Sequence, residues 1–144
     1  MCDIWRVQQV QEITTRDLEP HLGSLRTLGV RWVVLSGGEP LMHSELASFC
    51  RLLRGEGMRI TILTAGLLLA PRARAVVDNL DDVIVSLDGP PEIHNYIRNV
   101  PRAFERLAAG ITAIRRLRPE IQPLPRRKPQ RLLHRLPEQT ATSH

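Results

Sequence analysis

Three short segments gather small, polar and acidic residues in a way that burial alone does not ask for: Ser36-Gly37-Gly38-Glu39-Pro40, Thr64-Ala65-Gly66 and Ser86-Leu87-Asp88-Gly89-Pro90. Paired glycines let a ligand approach main-chain groups that a Cβ would screen, and the proline stiffens the turn that follows. Glu39 adds an acceptor. A carboxylate beside exposed backbone suits a ligand bearing an ammonium group, such as the amino-acid end of a metabolite. Asp88, with Ser86 two residues before it, is placed to accept hydrogen bonds from hydroxyls such as those of a ribose. Neither G-x-x-x-x-G-K-[ST] nor G-x-G-x-x-G occurs, which argues against nucleoside triphosphates and dinucleotides. Each segment alone also reads as a plain turn; on adjacent strands they favour a site.

The elements that must position them follow from periodicity. Val30 to Leu35, Met58 to Leu63 and Asp82 to Leu87 are short runs rich in β-branched residues, suited to buried strands. Between them, Leu46, Phe49, Cys50 and Leu53, then Ala73, Val76, Val77 and Leu80, recur at helical spacing, with Pro71 in a first turn. Leu18, Leu22, Leu25 and Leu28 form an earlier stripe, with Pro20 expected in its first turn, and Phe104, Leu107, Ala108, Ile111 and Ile114 form a last one. The order is α/β with three parallel strands and flanking helices, and ligands of such sheets bind beyond the carboxyl ends of the strands, where the three segments fall.

Composition bounds the rest. The 144 residues are 42% hydrophobic and 24% charged, ordinary globular usage. Residues 115–144 carry eight Arg or Lys against two Glu, a net +6, which leaves −1 on the first 114. The basic character is thus a property of the tail, and the inference to a nucleic-acid surface does not extend to the body. Five of the eleven prolines lie in that tail, so a boundary is expected near Glu120, with 1–120 folded and 121–144 a disordered Pro/Arg-rich extension in which no central strand fits. No apolar run reaches the roughly 18 residues of a bilayer span. The two cysteines give no disulfide framework, and a cytoplasmic location is expected.

Ser36 to Leu41 resembles the GGEP motif of radical S-adenosylmethionine (radical SAM) enzymes, and Met1-Cys2-Asp3-Ile4-Trp5-Arg6 resembles the end of their C-x-x-x-C-x-x-C loop. Ser86-Leu87-Asp88-Gly89, followed by Glu92, His94, Tyr96-Ile97-Arg98 and Phe104 to Ile111, is similar to the family's fourth strand and the helix after it. The resemblance covers roughly residues 1 to 118. It implies an incomplete (β/α)6 partial TIM barrel, a 4Fe-4S cluster on three cysteines, and S-adenosylmethionine (SAM) as the source of a 5′-deoxyadenosyl radical. By position, Cys2 would be a metal ligand; Gly37, Gly38, Glu39 and Pro40 would bind the methionyl amino group; Ser86 and Asp88 would lie near the ribose; and Arg98 would face the methionyl carboxylate. No catalytic side chain is assigned, because the chemistry belongs to the cofactor pair.

The chain departs from that pattern. The first two cluster cysteines and the strand before them are absent, and one cysteine cannot replace three. Cys50 falls on the core face of a helix and reads as a small hydrophobe. A fragment with a truncated start and a shifted end is therefore expected, inactive by itself and prone to self-association through exposed sheet edges. Asn95 and Asn99 stand where relatives often carry Asp and Gly. His94 reads as a site residue or a structural one, and Trp5 and Trp32 as packing residues. The substrate is expected to be a small molecule or a peptide, with no membrane partner and no nucleic acid. The alternative is a non-redox α/β module holding a nucleoside or amino acid; a nucleic-acid role for the tail is a third.

Overall fold

The structure, a computed structural model, describes residues 12–120 and the strand at 124–127. Cys2, Trp5 and the rest of the expected disordered tail lie outside the described residues. The sheet is parallel throughout and its strands follow chain order: β1 (Trp32–Leu35), β2 (Arg59–Thr64), β3 (Asp82–Leu87) and β4 (Leu124–Arg127). The register pairs Val33 with Ile60, Ile62 with Val83 and Leu87 with Arg127. Strand β4 adds to the three expected strands and carries the sheet past the compositional boundary at Glu120. Pro125 is accommodated because β4 is an edge strand, where a missing N–H need not break a ladder on both sides.

Alternation divides the sheet into two faces. Ile60, Ile62, Val83 and Val85 are buried and share one cluster with Cys50 and Leu53 of α3 (Leu46–Gly55), Ala73 and Val76 of α4 (Leu69–Asn79), and Leu107 and Ile114 of α6 (Ala103–Leu117). Leu18, Leu22 and Leu25 pack onto the same cluster from the N-terminal side. The opposite face holds Trp32, Val34, Thr61, Leu63, Asp82, Ile84 and Ser86, and there Trp32 is 58% and Val34 44% exposed. Helices gathered on one face of a parallel sheet whose strands run in chain order give the arrangement of a barrel wall, not of a doubly wound sheet covered on both sides. Trp32 is therefore not a core residue; its indole N–H donates to Thr61 Oγ1 at 2.7 Å, and Thr61 donates to Asp82, which also accepts from Arg59 at 2.6 Å.

Helix packing is closest between α4 and α6. A Cβ on Gly110 would lie 2.4 Å from Leu69 Cβ, so only glycine lets the two helices approach this far. The leucine stripe at 18–28 is not one helix: α1 (Thr15–Leu18) and α2 (Leu22–Thr27) flank a 3-10 turn at Glu19–His21. Pro20 sits in that turn, and its lack of an N–H explains the interruption. A further helix, α5 (Pro91–Arg98), stands between β3 and α6 and was not expected as a separate element.

Candidate functional site

The corner after β1 is built around one carboxylate. Gly37 has φ of 150°, a value side-chain-bearing residues rarely adopt, and a Cβ on either Gly37 or Gly38 would meet nothing within 4 Å. Glu39 then caps the 3-10 turn Pro40–Met42, with Oε1 accepting from the Leu41 N–H at 3.1 Å. The same oxygen accepts from Thr64 Oγ1 at 2.7 Å, and Oε2 accepts from the Ala65 N–H at 3.0 Å. Thr64 Oγ1 in turn accepts from the Gly66 N–H. Gly66 has φ of 84°, a left-handed conformation that favours glycine, and a Cβ there would push aside the end of the Leu107 side chain, whose Cδ1 would lie 2.1 Å away. An ionised carboxylate offers roughly four lone-pair directions. Three are used by protein donors, which leaves Glu39 held rigidly with one acceptor direction remaining.

A cleft of about 400 Å³ opens beside this corner. Gly37, Gly38, Glu39 and Pro40 line one side of it, and Glu12, Ile13, Met42 and His43 also border it. Its size falls within the usual range for small-molecule sites. Glu12 is a second acid at the cleft that sequence reasoning missed, because nothing in its local pattern separates it from a solvated glutamate. Its carboxyl is held below the usual range by hydrogen bonds from Ser44.

The end of β3 is organised differently. The Asp88 carboxylate is 2% exposed; its Oδ2 lies 2.6 Å from Arg98 Nε and 3.3 Å from His94 Nδ1. The Asp88 N–H donates to the same His94 nitrogen at 3.3 Å, and Arg98 donates to the Ser86 carbonyl at 3.3 Å. His94 is fully buried, and burial first, then the Arg98 charge, pull its pKa below the ordinary histidine value. These side chains tie α5 to the tip of β3. Asp88 and Arg98, expected at a ribose and a carboxylate, are here bound to each other, and neither they nor Ser86 lines the cleft.

Asn95 and Asn99 also acquire roles. Asn95 Oδ1 accepts from the Phe104 N–H at 2.8 Å, supplying the first turn of α6 with a cap that Arg102, in left-handed backbone with φ of 58°, does not provide. Asn99 ends α5 in left-handed backbone with φ of 51°, the conformation that accounts for glycine at such a position.

The expected cluster finds no home among the described residues. Cys50 is buried in α3, where desolvation pushes its thiol up to about 11. No group of three or more His, Cys, Asp or Glu among the described residues could hold a metal, and Cys2 lies outside them. A three-thiolate cluster therefore does not fit the donors present, whereas the Gly-Gly-Glu corner does fit the amino-acid end of SAM: open backbone, a preset carboxylate and one remaining acceptor.

Comparison with known proteins agrees with the fold. The sequence profile of the Radical SAM superfamily matches residues 1–121, and the chain belongs to that superfamily, whose members use a 4Fe-4S cluster and SAM. It is 33% identical over 111 residues to an AdoMet-dependent heme synthase of Methanosarcina barkeri, covering 73% of this chain and 31% of that protein. It is 34% identical over 105 residues to a probable GTP 3′,8-cyclase of Methanothermobacter thermautotrophicus, covering 71% and 34%. A 7-carboxy-7-deazaguanine synthase of Rhodopirellula baltica is 34% identical over 91 residues, covering 56% and 35%. The chain thus spans about a third of the length of these relatives. No helix among the described residues is long and apolar enough to cross a membrane.

Proposed function

We propose that the chain supplies the SAM-binding wall of a radical SAM enzyme acting on a small molecule. The observation that carries this is Glu39, fixed by Leu41, Thr64 and Ala65 with an acceptor direction left beside two unshielded glycines. In this reading Gly37, Gly38 and Glu39 take the methionyl ammonium, and Pro40 sets the turn. Ser86 lies toward the ribose, while Asp88 and Arg98 hold the end of β3 that presents it. When bound to a cluster, SAM supplies a 5′-deoxyadenosyl radical; what these residues do is bind and orient its amino-acid end. An AdoMet-dependent heme synthase, a probable GTP 3′,8-cyclase and a 7-carboxy-7-deazaguanine synthase differ in the reaction their names give, yet each matches this chain over about a third of its own length. That supports assigning the segment to the common cofactor and the choice of substrate to other parts of the protein. Self-association through exposed sheet edges and a cytoplasmic location belong to the same proposal.

A second reading, a module that binds a SAM-like ligand without redox chemistry, is favoured by the cysteine content: two in the chain, one of them locked in the core. Both readings predict binding without iron. Calorimetry with SAM should detect it, and Gly38→Ala, which adds a methyl group to open space, should weaken it about tenfold while leaving the melting temperature unchanged. Equal affinity for the two proteins would overturn the assignment of the corner. Anaerobic reconstitution then separates the readings, since iron and sulfide retained with visible absorbance would require thiolates from Cys2 and from outside this chain.

A further inference from the structure

The segment at 12–15 and the loop at 43–45 are thirty residues apart and bonded repeatedly. The Glu12 carboxylate accepts from the Ser44 backbone N–H at 3.2 Å and from the Ser44 hydroxyl. The Glu45 carboxylate accepts from the Thr15 N–H at 2.8 Å. Between them, His43 Nε2 meets the Ile13 carbonyl at 2.9 Å, and His43 Nδ1 lies 3.1 Å from the Glu45 N–H. The second contact fixes the tautomer. An N–H pointing at Nδ1 makes that nitrogen the acceptor, so Nε2 carries the proton and donates to Ile13.

The backbone of the same residue completes the turn that follows Glu39, because the His43 N–H donates to the Pro40 carbonyl at 3.1 Å. Its ring also meets the buried Phe49 edge-on, with centroids 5.1 Å apart at 75°. One imidazole therefore joins three parts: the Gly-Gly-Glu-Pro corner through its own main chain, α3 through Phe49, and the entering strand of chain through Ile13. Glu12 and Ile13 border the cleft together with Gly37, Gly38 and Glu39. The bonds from His43 and Ser44 set how far that entering segment stands from the corner.

We propose that His43 is a positioning residue for the cleft: it holds residues 12–15 as a fixed wall opposite Gly37, Gly38 and Glu39, so that the ligand meets a preformed site. The role rests on reading the cleft as the SAM site. It is distinct from ligand contact, since both ring nitrogens are engaged by protein. Preorganisation of this kind acts on affinity by removing the ordering that binding would otherwise require.

The test uses the full chain with SAM, without iron, in four forms: wild type, His43→Ala, His43→Gln and Ser44→Ala. Amide exchange at Thr15 reports the latch, and calorimetry reports the site. His43→Ala should speed Thr15 exchange and weaken SAM binding by about tenfold. Gln, which has a donor and an acceptor on one planar group, should restore most of both. Ser44→Ala breaks a neighbouring bond without touching the ring and should move both readouts the same way to a smaller extent, which keeps the test informative if His43→Ala does not fold. Faster Thr15 exchange with unchanged SAM affinity, in either variant, would overturn the proposal while leaving the cleft assignment intact. Absence of SAM binding by wild type would instead overturn the cleft assignment and, with it, this role.

Discussion

Thr64 donates its hydroxyl to Glu39 across a 2.7 Å gap and receives the Gly66 N–H at 3.0 Å, so a single buried oxygen links the ends of β1 and β2. Replacing Thr64 by Val keeps the shape and removes that oxygen. The Gly66 N–H then loses its partner in a buried setting, which costs about 1–3 kcal/mol. Thr64→Val should lower the melting temperature and weaken SAM binding together, and Thr64→Ser should recover most of both. A Val variant that melts and binds like wild type would show that the hydroxyl does not organise the corner.

His94 makes a pH prediction. Its pKa is depressed below 6.5 in the folded chain, chiefly by burial and then by Arg98. As pH falls through about 6.5 the unfolded chain takes a proton that the folded chain refuses, so stability falls with it and levels off once the folded imidazole also protonates. Thermal melts from pH 7.5 to 5.5 should show a decline that His94→Gln reduces. Parallel pH profiles for the two proteins would remove His94 as the source.

Asn99 is the one C-terminal cap of α5 in left-handed backbone, and glycine adopts that conformation without the Cβ contact. Asn99→Gly should raise stability by up to about 1 kcal/mol, the gain being small because asparagine tolerates this region better than other side chains and because glycine also loosens the unfolded chain. Chemical denaturation measures it, and a loss of stability would mean that the Asn99 side chain makes a contribution of its own.

Cys50 should be inert. With the thiol pushed up to about 11, only about one molecule in a thousand is thiolate at pH 8. In the folded chain Cys50 should not react with a disulfide reagent, and it should become reactive only on addition of denaturant. Rapid native modification of Cys50 would place it outside the core.

Strands β1, β2 and β3 and the helices α3, α4 and α6 were legible because their apolar periods match their buried faces: Ile60 and Ile62 on β2, Phe49, Cys50 and Leu53 on α3. Helix α5 was not. Its inward side is polar, with His94 and Arg98 against Asp88, while Ile93, Tyr96 and Ile97 are exposed, so its apolar pattern says little about what it buries. The Gly-Gly-Glu corner was legible since its residue types are special. The latch at 43–45 was not, because its partners are a carbonyl, an N–H and an ordinary glutamate thirty positions away, none of which leaves a trace in composition. The ion pair of Asp88 with Arg98 was hidden for a related reason: two polar residues near a proposed ligand can equally satisfy each other. The strand at Leu124–Arg127 was obscured by prolines, whose objection to a sheet holds in its middle and lapses at its edge.

The chain-order sheet also bears on synthesis. Each strand pairs with the one made just before it, and Glu39 finds its partners at Thr64 and Ala65, only 25 and 26 positions later. Contacts of such short span close early and need no long loop to be ordered first. The acidic corner can therefore be complete on the ribosome as soon as residue 65 has emerged, before β3, α5 or any part of the tail leaves the exit tunnel.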